Sequence, residues 1–337
     1  MQPLASVLDP AYHWLCQQRR HYPPDADVWD LRFHWHAERI RLEAELRSGH
    51  FRLGPLRVLA KADGEVLHLW SARDALVLKA LALVIGPVLR LSPRCAHVKG
   101  HGGLKAAVRE VQQRVPEYRH VLRTDVKGFY ESIDQSILLA QLSGQINDAL
   151  VLDLLGQAIE RTVERGGLYR DIRTGISRGC PLSPLLGALY LNVLDERLSP
   201  AAVYYVRYMD DILVLTKTRW QLRRAARRLN QTFAELKLSQ HPDKTFIGRI
   251  ERGFDFLGYY FSRSPLRLAH RTLQNHATRL HRLYEQQRTA PAGAVRLDEY
   301  VARWRRWCRA GLGELLSAAA WQGASAPCPC QGQQTHT

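Results

Sequence analysis

Apolar positions along this chain recur with two periods, one of roughly three to four residues and one of two, and their alternation predicts a mixed fold. Residues 1–50 read as mostly helical, with Trp29, Leu31, Phe33 and Ile40 as candidate core positions and Pro23-Pro24 as a break. Residues 51–70 change to strand character. There Ala62-Asp63-Gly64 supplies the turn chemistry that would reverse two short apolar runs into a hairpin. Ser71 then stands where a helix wants a capping oxygen, ahead of an apolar helix over 72–91. Ile133, Ile137, Leu138 and Leu142 mark one face of a helix, and a second helical stretch is predicted over 146–163, before Gly166-Gly167 turns into a short strand ending at Arg173. Two strand-like runs, 202–208 and 212–216, bracket a bend. Residues 219–236 read as an amphipathic helix with Leu222, Ala226, Leu229, Phe233 and Leu236 on one face and Arg223, Arg224, Arg227 and Arg228 outside it. Helices over 272–287 and 298–310 follow, and 321–337 read as a disordered tail. Strands and helices mixed in this way indicate α+β rather than a doubly wound parallel sheet.

Charge narrows the class of partner. Lys and Arg exceed Asp and Glu by 16 in 337 residues, and the isoelectric point near 9.9 suits a nucleic-acid-binding protein. The excess is clustered: residues 263–309 hold eleven Arg against Glu285, Asp298 and Glu299. A phosphate backbone explains that better than a general solubility charge. Trp304 and Trp307 interleave with Arg303, Arg305, Arg306 and Arg309, a stretch that could stack on bases or pack as core. The six Cys form no CxxC pair, which implies reduced thiols and a cytoplasmic setting. The longest apolar stretch is about half a membrane span, so no membrane is expected.

The candidate chemistry lies at Tyr208-Met209-Asp210-Asp211, where two acids occupy the bend between strand-like runs. Alone, such a pair reads equally well as a solvated turn or as metal ligands. The residues upstream decide. Residues 121–124 read as a strand that delivers a third acid, in Asp125-Val126-Lys127-Gly128-Phe129-Tyr130. Acids from two strand ends brought side by side would hold a pair of Mg²⁺ ions for in-line phosphoryl transfer. The basic glycine-rich segment His97-Val98-Lys99-Gly100-His101-Gly102-Gly103 is a candidate phosphate-backbone contact or a plain structural turn.

The order of these segments resembles a known family. Asp125 to Tyr130, then Gly175-Ile176-Ser177-Arg178-Gly179-Cys180-Pro181, then Tyr208 to Asp211, then His241-Pro242-Asp243-Lys244, then Phe254-Asp255-Phe256-Leu257-Gly258 look like palm motifs A to E of reverse transcriptases, closest to the bacterial group II intron-like branch. The resemblance implies a right-hand polymerase fold. Its expected parts are N-terminal helices and fingers in 1–120, a palm of antiparallel sheet backed by helices in 121–262 with an inserted fingers segment at about 140–178, and a helical thumb in 263–320. It implies an RNA-directed DNA polymerase that uses two Mg²⁺ ions, with Mn²⁺ as a substitute, an RNA template, a DNA or RNA primer, dNTPs and a cognate structured RNA. Asp125 and Asp210 would be the principal ligands, helped by the Val126 carbonyl and Asp211. Lys244 would approach the phosphates. Tyr130 would be the steric gate against a 2′-hydroxyl, with Phe129, on the other side of a strand, as its neighbouring candidate. Tyr208, Met209, Leu257 and Gly258 would handle primer and template, and Arg303 and Arg306 would grip the duplex.

Two departures from the pattern bear on the nucleotide. Arg178-Gly179 stands where motif B usually reads Gln-Gly, and Leu67 and His68 occupy fingers positions that usually include an Arg. Triphosphate binding would then fall to Lys61, Arg73, Arg178 and Gly179. A maturase-like RNA-binding protein and a phage-defence enzyme with unusual priming are the alternative readings.

Overall fold

The computed structural model describes residues 3–60, 66–199, 202–289 and 293–312. In chain order the helices and strands are α1 (Leu8–Gln18), α2 (Asp27–Phe33), α3 (Trp35–Ser48), β1 (Leu56–Ala60), β2 (Val66–Leu69), α4 (Ala72–Ile85), α5 (Gly103–Arg114), β3 (His120–Thr124), α6 (Phe129–Ser132), α7 (Gln135–Ser143), α8 (Ala149–Ile159), β4 (Thr162–Arg165) and β5 (Leu168–Asp171). They continue as α9 (Ser183–Tyr190), α10 (Asn192–Leu198), β6 (Tyr204–Tyr208), β7 (Asp211–Thr216), α11 (Arg219–Glu235), β8 (Phe246–Arg249), β9 (Phe254–Phe256), β10 (Tyr259–Phe261), β11 (Arg267–Leu268), α12 (His270–Thr289) and α13 (Gly293–Leu312). The fold is α+β, as the two periods predict. Among the described residues no helix is long and apolar enough to cross a membrane.

The central sheet has the order β6-β7-β3-β8, antiparallel throughout. Successive strand residues point to opposite faces, and here both faces are covered. Leu122, Ile212 and Val214 join a core cluster with Leu222, Ala225, Leu229 and Phe233 of α11. Val121, Leu213 and Leu215 join a second cluster with Val108 of α5 and Phe254, Phe256 and Tyr259 of β9 and β10. The helix α11 thus lies on one side of the sheet and the β9-β10 hairpin on the other. Thr218 and Gln221 close a capping box at the start of α11, which fixes where the chain turns from β7 into the helix.

A second sheet, β2-β1-β4-β5, differs from the hairpin expected over 51–70 in one respect: β1 also pairs in parallel with β4, Leu56 opposite Val163. Val163 therefore belongs to a strand. The helix expected over 146–163 ends at Ile159, because the apolar run that suggested it continues as a partly buried strand. Ser71 caps α4 by accepting the Asp74 N–H. Phe33 and Ile40 are exposed, 85% and 57%, rather than core, and Leu31, Leu42 and Leu46 fill the buried side. The turn at 62–64 and the tail from 321 lie outside the described residues.

Candidate active site

The three aspartates arrive from adjacent strand ends. β3 stops at Thr124, and Asp125 is held just beyond it: the His241 N–H donates to its carbonyl at 2.8 Å, and the Lys127 N–H donates to Ser239 at 2.9 Å. This pairing lays the segment before β8 alongside Asp125, so the Lys244 ammonium contacts the Asp125 carboxylate. Tyr208 and Asp211 are cross-strand partners at the end of β6 and β7. Met209 and Asp210 are therefore the two-residue turn.

Met209 adopts φ 55°, a left-handed conformation that a side chain disfavours. Both of its backbone polar groups are held by side chains from elsewhere. Arg207 Nη1 donates to its carbonyl at 2.7 Å, and His97 Nδ1 accepts its N–H at 2.9 Å. Because a backbone amide only donates, Nδ1 is the bare nitrogen, and the Nε2–H donates to the Pro184 carbonyl at 3.0 Å. Burial lowers the His97 pKa and favours this neutral form. Arg207 is fully buried and paired with Asp195, which also accepts the Tyr205 hydroxyl.

Electrostatics around the aspartates are strained. Burial pushes the Asp210 carboxyl up to about 7, reinforced by its hydrogen bond with Asp125 and the Asp125 charge. Burial and the Asp125 charge likewise push Asp211 up to about 6, against Arg123 and Lys244. For Asp125, burial acts upward, but hydrogen bonds with Asp210 and Lys244 outweigh it and hold the group below the usual carboxylate range. Crowded carboxylates of this kind fit a divalent cation, whose charge removes the repulsion that raises Asp210 and Asp211. Among the described residues no three His, Cys, Asp or Glu side chains converge as a closed cage. Mg²⁺ needs only one or two protein carboxylates, with water and substrate phosphate completing its shell.

Phe129 and Tyr130 open the short helix α6 instead of alternating along a strand. Phe129 is buried at 3% exposure. Tyr130 faces the aspartates: its hydroxyl lies 3.6 Å from Met209 Sδ, and burial followed by the Asp210 charge raises its pKa. Gly175, at φ +73°, lets the motif B loop pass over this helix, since a Cβ there would stand 2.7 Å from the Tyr130 carbonyl.

Of the residues expected to meet a triphosphate, Arg178 lies by α6, exposed and 3.2 Å from Glu131. His68 shares that neighbourhood, since burial and then the Arg161 and Arg178 charges lower its pKa. Arg73 is turned elsewhere, bound to Glu38 and Glu45 with its guanidinium over the Phe51 ring. Lys61 lies outside the described residues.

Leu257 and Gly258 form the β9-β10 turn, with φ 49° and 85°. A Cβ on Gly258 would stand 3.1 Å from the Trp307 ring. Trp307 stacks on Tyr259 and on Trp304, which stacks on His276. The Lys105 ammonium sits 3.8 Å above the Trp307 ring and donates to its carbonyl at 2.7 Å. The indoles are thus packed between elements, while Arg303 and Arg306 remain exposed. Sequence reasoning missed His97 as a support of the turn, and missed the Arg207–Asp195 pair. The one available signal was a lone Arg inside an apolar strand, which must find a buried partner.

Comparison with known proteins identifies the family. Residues 75–261 match the family described as reverse transcriptase (RNA-dependent DNA polymerase), and the chain belongs to that family. Relatives include Protein YkfC of Escherichia coli, 25% identical over 67% of this chain and 71% of its own length. Two others are the putative COX1/OXI3 intron 1 protein of Saccharomyces cerevisiae, 20% identical over 67% of this chain, and an uncharacterized 91 kDa protein in a cob intron of Schizosaccharomyces pombe, 28% identical over 45%. The matches span 35% and 20% of those two proteins. They agree with the group II intron-like branch that the motif order suggests. Among solved structures, apo telomerase from Candida tropicalis, truncated from its C-terminal domain, aligns with TM-score 0.49 and 13% identity over 64% of this chain and 55% of its own.

Proposed function

We propose that the chain extends a DNA or RNA primer with dNTPs on an RNA template, with the catalytic centre at Asp125, Asp210 and Asp211. The observation that carries this reading is the crowding of these carboxylates beside Tyr130 and Lys244, with Asp210 pushed up to about 7. Asp125, Asp210, Asp211 and the Val126 carbonyl would hold two Mg²⁺ ions, for which Mn²⁺ can substitute. When bound, such ions make the primer 3′-hydroxyl a better nucleophile and neutralise the triphosphate and leaving pyrophosphate. Lys244 lies where an ammonium can approach those phosphates. Tyr130 bounds the sugar, and Arg178 with Gly179 lines its other side. Gly179 takes φ +74° with nothing within 4 Å of where a Cβ would stand, which leaves room for a nucleotide. Tyr208, Met209, Leu257 and Gly258 would bear on the primer end and template, and Arg303 and Arg306 on the duplex. The parts would be fingers in 1–120 and about 140–178, palm in 121–262 and thumb from 263. A maturase-like RNA-binding role is the second reading, favoured by the intron-encoded relatives.

Primer extension on a heteropolymeric RNA with Mg²⁺ separates the two. The polymerase reading expects a complementary DNA product from the parent protein and a lower dNTP-to-rNTP preference from Tyr130→Ala. RNA binding without any extension would leave only the second reading.

A further inference from the structure

The outer face of α11 carries a cationic stripe that the polymerase site does not use. At 100° per residue, Trp220, Arg223, Arg224 and Arg227 fall within about a third of the helix circumference, opposite the buried Leu222, Ala225, Leu229 and Phe233. All four are exposed, and Trp220, at 74%, is the most exposed indole recorded among the described residues. Among the described residues, no carboxylate pairs with Arg219, Arg223, Arg224 or Arg227. The helix has no acid in its first turn. Arg219, Arg223 and Arg227 follow one another at i, i+4, a spacing at which like charges weaken a helix. Stability therefore does not explain the pattern. Beside the stripe, between α10 and α11, a cavity of about 360 Å³ is lined by Arg197, Gln221, Arg224 and Arg228.

We infer that this face is a second nucleic-acid site, which holds the phosphate backbone of a structured RNA with an unpaired base on Trp220. Charge complementarity selects a polyanion. Arginine in place of lysine throughout the helix, with an exposed indole in the stripe, selects RNA over an acidic peptide, because guanidinium planes and rings take both phosphates and unstacked bases. The site is distinct from the primer-template, since α11 covers one face of the central sheet and the β9-β10 hairpin with α13 lies toward the other. The RNA held here is accordingly one that remains bound during synthesis.

The probe is a fluorescein-labelled RNA hairpin with an unpaired loop and a blocked 3′ end, titrated into protein already saturated with unlabelled primer-template. The parent should bind it in that state. Arg223→Gln/Arg224→Gln/Arg227→Gln should weaken binding at moderate salt and reduce the slope of log K against log salt by about two to three. Trp220→Ala should weaken the hairpin about fivefold or more while leaving a loopless duplex unaffected. Both variants should match the parent in circular dichroism and in primer extension at saturating duplex. The inference is overturned if the saturated parent does not take the hairpin, or if the triple variant keeps the parental affinity and salt slope. It is also overturned if labelled hexaglutamate depends on these arginines and the hairpin does not. Extension measured in the same samples reports on the polymerase reading independently.

Discussion

Asp210 and Asp211 are carboxyls raised by burial and by Asp125, to about 7 and about 6. This has a sign in stability. A native group that binds protons more tightly than the unfolded chain stabilises fully at low pH, and that contribution is lost as pH rises through the native value. The cation-free protein should therefore lose stability from this centre between about pH 4 and about pH 7. Mg²⁺ should raise the melting temperature more at about pH 8 than at about pH 5, and Asp210→Asn should flatten both effects. A Mg²⁺ shift that is equal at both pH values, and unchanged in the variant, would place the cation elsewhere. That the aspartates and Tyr130 come together was legible in the sequence because strand-end acids and an aromatic at fixed spacing are local signals. Arg73 was not: its partners Glu38 and Glu45 lie 35 and 28 residues away, and nothing local marks that pairing.

At the scale of elements, the Met209-Asp210 turn depends on segments far from it. His97 joins the loop before α5 to Met209 and to Pro184 at the start of α9 through one imidazole. His97→Leu should slow single-nucleotide incorporation about tenfold to a hundredfold, since small misplacements of reacting groups are that costly. Primer-template affinity should hold. His97→Asn, whose amide oxygen can take the place of Nδ1, should recover most of the rate. Equal losses in the two variants would mean that the ring only fills space. Elements with strong periodicity were readable: α11 runs over Arg219–Glu235 with the expected buried face, although Ala225 rather than Ala226 is fully buried. The β1-β4 pairing was not, because it joins residues about a hundred positions apart and has no turn to announce it.

For the whole molecule, the central sheet separates two surfaces. One carries the β9-β10 turn and α13, locked by Lys105 and the stack of Tyr259, Trp307 and Trp304. The other carries α11 and its arginines. The net charge of +16 announced a polyanionic partner, but only the sheet's two-sided packing distributes that charge between surfaces. The sequence left open whether Trp304 and Trp307 touch bases, since alternation of Trp and Arg is the same for a stacking platform and for a core seam. In the fold both indoles are half-buried and stacked in a seam with Tyr259 and His276.

The central claim is that Asp125 and Asp210 carry out the chemistry while the cationic surfaces hold the nucleic acid. Its most direct test is primer extension on a heteropolymeric RNA with Mg²⁺, run beside RNA binding, for the parent, Asp125→Asn and Asp210→Asn. Each substitution should lower incorporation by about a thousandfold or more, as expected when several kcal/mol of cation-mediated stabilisation is removed, with RNA affinity within a few-fold of the parent. Substantial DNA synthesis by either variant would contradict the account.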